Sequence, residues 1–241
     1  MRSKVKEKLT TWLDNRPRQS IEGEQLEWEA NVVAYVGWLW DHIKIHPKAK
    51  NRRTPRISKR IPIYGPRFVP PGYHHEIRRN PAQPDIQPVT LYMKPLTTVH
   101  PFYYTDLKQC PDCDATVGVR WNSWVGTGAR DLYGIRHGER AIGYQLRCED
   151  CKEANRQHCF ATTSITFWRR WDHHDIPREC RSLDAMFSHL HMILGGIPIF
   201  TMRSGATREL FDLIGEVRPS TTSGRLAEHI RRTSIPFAAL T

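Results

Sequence analysis

Cys110-Pro-Asp-Cys113 and Cys148-Glu-Asp-Cys151 decide how the rest of this chain is read. Each is a C-x-x-C, and residues 114–147 lie between them. Two cysteines three positions apart on a tight turn present their sulfurs in the same direction. Two such turns brought together offer four thiolates at tetrahedral angles, the arrangement Zn²⁺ favours. The repeated C-x-x-C is among the more specific metal signals a single sequence can carry, although this gap is longer than the usual one. The spacing predicts one structural Zn²⁺ held by Cys110, Cys113, Cys148 and Cys151. The competing reading is two disulfides or four unrelated thiols. A disulfide framework belongs to exported proteins, and the opening Met1-Arg-Ser-Lys-Val-Lys-Glu-Lys-Leu9 has no apolar signal core. An intracellular, reducing setting is therefore expected, in which thiols stay free for metal.

Around the two hooks the pattern is that of short strands. Thr116–Arg120 alternates, Asp131-Leu-Tyr-Gly134-Ile reads as a second strand, and Arg140–Arg147 as a third running straight into Cys148. Trp121, Trp124, Tyr133 and Tyr144 are the expected walls of a small core. Three helical patterns follow: Ser182–Leu194, capped by Ser182 and stopped by Gly195-Gly196, then Thr207–Val217 and Ser223–Arg232. The last two are compatible with a helix-turn-helix or with plain packing. The fold class expected is α+β. A small antiparallel zinc-ribbon-like sheet is followed by a short helical bundle over 101–233, with a Pro-rich basic N-terminal arm and a tail at 234–241. A ribbon that small leaves the metal to supply much of its folding free energy, on the order of 10 kcal/mol.

The first hundred residues differ in character. Residues 1–20 are polar and interrupted by Pro17, and are expected to be a disordered tail. Residues 21–46 read as an amphipathic helix, with Leu26, Val33, Val36, Trp40 and Ile43 near one face, acids in the first turns and Pro47 as the stop. Trp28, Trp38 and Leu39 widen that stripe. The helix either docks on the rest of the chain or meets a protein partner. Residues 47–100 are a basic and Pro-rich linker whose last part, around Leu96–Val99, is expected to lie along the folded module.

The charge is uneven. Net charge is +11. Residues 1–101 hold 18 Lys+Arg against 9 Asp+Glu, and residues 102–241 hold 18 against 16. The excess is concentrated in Lys48, Lys50, Arg52, Arg53, Arg56, Lys59 and Arg60, a run without an acid. It reads as a phosphate-binding or nuclear-import tract, or as a solvated tail. Nucleic acid is the expected partner, and the nucleus the expected location. Hydrophobic residues make up 39% and prolines number 17, lean for a chain packed along all 241 positions. No apolar run approaches the roughly 18–20 residues of a membrane helix, so no membrane partner is expected.

His158, Cys159, His173, His174 and Cys180 are five further ligand types in a short span. Their spacing matches no second pair of hooks, which leaves a second metal site or idle side chains as the alternatives. No catalytic constellation stands out. There is no His-x-Glu ahead of a Pro-Cys-x-x-Cys, no P-loop and no Gly-x-Ser-x-Gly, and a four-cysteine site has no open coordination position. Neither an enzyme nor a small-molecule substrate is expected.

Residues 101–232 resemble a domain family abundant in fungi, domain-of-unknown-function family 6729. The resemblance rests on Pro101-Phe102…Cys110-Pro-Asp-Cys113, on Trp121-Asn-Ser-Trp124-Val-Gly-Thr-Gly-Ala-Arg130-Asp-Leu-Tyr-Gly134, on Ile142-Gly-Tyr-Gln-Leu-Arg-Cys148-Glu-Asp-Cys151 and on Thr201–Ala206 with the helix after it. It implies two metal knuckles and an association with mobile-element and transposase-linked proteins, and it implies no reaction. The stretch Phe167–Cys180 departs from the family pattern, and the chain stops at Thr241 where such proteins often continue, so a shortened or decayed copy, a relic with no retained function, is a further alternative.

Overall fold

The structure is a computed structural model that describes residues 2–15, 23–42, 64–70, 93–104, 107–169, 196–217, 224–225 and 228. Its organising element is one long strand. The strands are β1 (Arg67–Phe68), β2 (Leu96–Val99), β3 (Val119–Trp124), β4 (Arg130–Tyr133), β5 (Glu139–Cys148), β6 (Cys159–Ala161), β7 (Ile199–Phe200) and β8 (Gly205–Ala206). The helices are α1 (Arg2–Asn15), α2 (Gly23–His42), α3 (Glu149–Glu153) and α4 (Arg208–Val217).

β5 serves two sets of neighbours in turn. Its first half pairs with β2 in parallel and with β4 antiparallel, through Thr98↔Ile142 and Arg130↔Ala141. Its second half pairs antiparallel with β3 and β6, through Val119↔Cys148 and Leu146↔Phe160. The sheet order runs β1-β2-β5-β4-β8-β7, with β3 and β6 attached to the far half of β5. The burial of β5 follows this division. Glu139 to Gly143 are all buried, as expected of a strand covered on both faces, and beyond Gly143 buried and partly exposed residues mix.

Gly143 sits at the changeover, where the chain at Thr162–Thr163 crosses it closely. A Cβ there would lie 2.7 Å from Thr162 Oγ1 and 2.9 Å from the backbone nitrogen of Thr163. Thr162 stitches the crossing. Its hydroxyl donates to Val99 O at 2.7 Å and accepts from Tyr144 N at 2.9 Å, while its carbonyl accepts from Trp168 Nε1 at 2.8 Å.

This architecture corrects the expected small antiparallel ribbon followed by a helical bundle. Among the described residues the sheet has eight strands and is mixed, with parallel pairings at β2–β5 and β4–β8. The helix expected over Ser182–Leu194 lies outside the described residues, as does most of Ser223–Arg232. Residues 2–15, expected to be disordered, form α1, with Val5 and Trp12 buried and Leu9 packed against the core, a stripe at helical spacing.

α2 docks on the sheet rather than standing apart. Leu26, Ala30, Val33, Val36 and Leu39 are buried on one side. Gln25 clasps the chain before β2, accepting from Lys94 N at 2.7 Å and donating to Lys94 O at 3.2 Å. Glu29, in the first turns where the sequence suggested only a dipole-stabilising acid, is buried against Arg140 of β5 at 2.5 Å. The expected strands at 116–120, 131–135 and 140–147 correspond to β3, β4 and β5 with shifted ends, and Leu96–Val99 is β2.

Candidate metal centre

The antiparallel register of β3 and β5 brings the two hooks together. Val119, the first residue of β3, lies opposite Cys148, the last of β5. The turn that feeds β3 therefore sits beside the turn that leaves β5. Glu149 N donates to Gly118 O at 3.1 Å and ties them directly. Gly118 adopts φ +72°, a left-handed conformation suited to glycine, and a Cβ there would lie 3.2 Å from Asp150 Oδ1.

The first hook is a tight loop closed by Cys110 N donating to Ala115 O at 2.9 Å and Asp114 N donating to Cys110 O at 3.2 Å, with Asp114 at φ +60°. The second hook starts at an extended Cys148, held by its N–H on His158 O at 2.9 Å, and continues into α3. Arg156 N donates to Cys151 O at 2.8 Å and closes that turn from behind.

Four sulfurs converge. Cys110 Sγ lies 3.6 Å from Cys151 Sγ, and Cys113 Sγ lies 3.6 Å from Cys148 Sγ. All four lie within 4.8 Å of one another, and Cys110, Cys148 and Cys151 are buried. A disulfide needs about 2.05 Å, so these are free thiols. A tetrahedron of metal–sulfur arms of about 2.3 Å has edges of roughly 3.8 Å, close to the two separations found. The group can hold a metal ion.

The electrostatics are those of thiols crowded out of water. Burial pushes the Cys110 thiol up, against backbone N–H groups of Cys113 and Asp112 that favour its thiolate. Burial also pushes Cys151 up, and the three neighbouring sulfurs add to it. Cys113 is held below its ordinary value. Burial opposes this, but the N–H of Ala115 and the surrounding thiols outweigh it. A divalent cation held by the four sulfurs would relieve the crowding by favouring four thiolates at once. Around the rim, Arg156 pairs with Asp112 at 3.3 Å, and Glu149 takes both Arg147, at 3.3 Å, and Arg120. Arg120 and Arg147 face each other across β3 and β5, so Glu149 relieves a like-charge pair and holds the strand ends at the hooks. Those two ion pairs draw the Glu149 carboxyl below its usual range, even though desolvation works the other way.

Cys159 begins β6, is exposed and stands outside the cluster, and His158 meets Arg156 O at 3.3 Å. Among the described residues no second group of His, Cys, Asp or Glu converges in this way. His173, His174 and Cys180 lie outside the described residues, as do Lys48, Lys50, Arg52, Arg53, Arg56, Lys59 and Arg60. Of the four expected aromatic walls, Trp124 is buried, Trp121 and Tyr144 pack against the core, and Tyr133 is 67% exposed. The centre of the ring cluster is instead His100, fully buried between Trp124 and Tyr144. A histidine ahead of Pro101 carried no spacing signal that could have revealed it. No helix among the described residues is long and apolar enough to cross a membrane. No family model, no curated protein and no solved structure matches this chain.

Proposed function

We propose that Cys110, Cys113, Cys148 and Cys151 hold one structural Zn²⁺ and that the protein is a non-enzymatic nucleic-acid-binding module. The observation that carries the metal reading is the pair of 3.6 Å sulfur separations on two hooks joined by one strand pairing. Zinc suits four thiolates in a closed shell better than the harder divalent ions, which take oxygen ligands. Four protein sulfurs leave no position for a substrate, so the ion acts by holding β3, β5 and α3 in place.

The nucleic-acid reading draws on charge. The net +11, and the acid-free run from Lys48 to Arg60, suit contacts to phosphates that position a strand without reading its sequence. A nuclear location and a mobile-element setting belong to the same proposal, through the import-like run and the resemblance to family 6729. The test is binding of the full chain to DNA and RNA across a salt series, beside a variant with Arg52, Arg53, Lys59 and Arg60 changed to Ala. The proposal expects affinity to fall steeply with salt, and the variant to bind more weakly with a shallower slope. Affinity indifferent to salt and to the four substitutions contradicts it. A protein-interaction module is the second reading, favoured by Trp38 and Trp40, each more than a third exposed on α2. A co-purifying protein, with no retention on nucleic acid, is the outcome that selects it.

A further inference from the structure

Where β5 changes neighbours, α1, α2, β3 and β5 surround a cleft of about 280 Å³, at the small end for a ligand site. Trp38, Trp40, Trp124 and Tyr144 supply its aromatic lining. Trp124 takes part because β3 is irregular. The register slips between Trp121 and Trp124, so Trp124 pairs opposite Tyr144 and is buried instead of following the alternation of the strand.

His100 also lines the cleft. Its ring is fully buried, stacked on Trp124 at 4.6 Å, with Tyr144 at 4.4 Å and Trp40 at 5.4 Å edge-on. Phe102 N donates to Nδ1 at 3.0 Å. Nδ1 therefore carries no hydrogen, and the neutral ring has its N–H at Nε2. That Nε2 is buried and has no hydrogen-bond partner among the described residues. A buried donor left without an acceptor is costly, and at the wall of an aromatic cleft a ligand acceptor is what satisfies it.

Charge at the mouth narrows the class of ligand. Lys4 and Lys8 of α1 stand at the rim against the single carboxylate of Asp41. A methylated ammonium group is the usual guest of an aromatic cage, but it needs acids around it and gains nothing from a donor N–H. Two ammonium groups, flat rings and a donor N–H left without an acceptor suit a planar heterocycle with carbonyl or ring-nitrogen acceptors and a phosphate attached. The geometry points to a site for one unstacked base of a single-stranded nucleic acid, its ring against the tryptophans, an acceptor on His100 Nε2 and its phosphate by Lys4 and Lys8. The inference extends the nucleic-acid reading above and rests on it, but it uses residues outside the basic run.

The test is titration of the full chain with a short oligodeoxythymidylate, followed by tryptophan fluorescence and repeated with Trp38→Ala and with the double variant Lys4→Ala, Lys8→Ala. Trp38 and Lys4 are exposed enough for the fold to survive these changes, which circular dichroism checks. The expected result is quenching in the wild type, about tenfold weaker binding in Trp38→Ala, and a salt slope lower by roughly 0.7 in the double variant, one phosphate's worth. Oligonucleotide binding that both cleft variants leave unchanged, but that falls when Arg52, Arg53, Lys59 and Arg60 are neutralised, overturns the cleft and keeps the wider reading. No binding by any of them overturns both. Saturable quenching by thymidine monophosphate as tight as by the oligomer, or by a trimethyl-lysine peptide in place of either, also overturns the assignment to a strand.

Discussion

Arg140 Nε lies 2.5 Å from Glu29 Oε1, and both side chains are essentially removed from solvent, at 2% and 0% exposure. The pair fastens α2 to the half of β5 that β2 and β4 flank. Arg140 spreads its charge further, to Asp131 Oδ1 at 3.2 Å and Ala129 O at 3.1 Å, while Glu29 also accepts from Gln25 Nε2 at 2.9 Å. A buried ion pair adds little net stability over an apolar pair, but removing one member strands the other.

Glu29→Ala is therefore expected to lower stability by about 3 kcal/mol, toward the lower end of the cost for a buried pair because Asp131 still faces Arg140. Urea denaturation measures it. A loss below about 1 kcal/mol would show that Arg140 finds full compensation elsewhere.

Two glycine substitutions should move in opposite directions. Gly143→Ala places a methyl within 3 Å of Thr162 Oγ1 and of the Thr163 backbone, and is expected to cost about 1–3 kcal/mol. Gly215→Ala adds a methyl to an exposed position of α4 with nothing within 4 Å, and is expected to gain about 0.5 kcal/mol. Thermal unfolding of both variants, side by side, is the check. Equal effects would remove the special role given to the crossing at Thr162.

His100 sets a pH dependence. Burial lowers its pKa to about 3, from about 6.5 in the unfolded chain. Between those values the unfolded state binds a proton that the folded state does not. Stability therefore falls as pH drops through that window, by up to about 1.4 kcal/mol per unit. His100→Leu should be less stable at neutral pH, because Phe102 N loses its acceptor, yet flatter in its acid response. Parallel pH profiles for the two proteins would contradict this.

The hooks were legible because metal ligation constrains residue type and spacing at once. β4 and β5 were legible because their residues alternate or run apolar between turn residues, and α2 because its apolar positions keep helical spacing. The overall architecture was not legible. β2 is a four-residue strand of Leu-Thr-Thr-Val in a proline-rich setting, and its parallel pairing with β5 joins segments whose adjacency no local pattern encodes. The pairing of Glu29 with Arg140 was not legible because one sequence shows no coupling between positions so far apart. Lys4, Lys6, Glu7 and Lys8 hid the stripe of Val5, Leu9 and Trp12 that makes α1 a packed helix.

Cys148→Ser and Cys159→Ser separate the two kinds of cysteine. The first removes one of the four converging sulfurs, and is expected to abolish stoichiometric metal binding and cost several kcal/mol, read as a lower thermal midpoint. The second alters an exposed thiol outside the cluster and should change neither. Equal behaviour of the two variants would sink the distinction.

The most direct test of the central claim is elemental analysis of the purified chain together with titration of its reactive thiols before and after chelation. One zinc per chain is expected, with Cys110, Cys113, Cys148 and Cys151 shielded from the thiol reagent until the metal is withdrawn. A metal-free protein that is folded, and whose four hook thiols react at once, would contradict it.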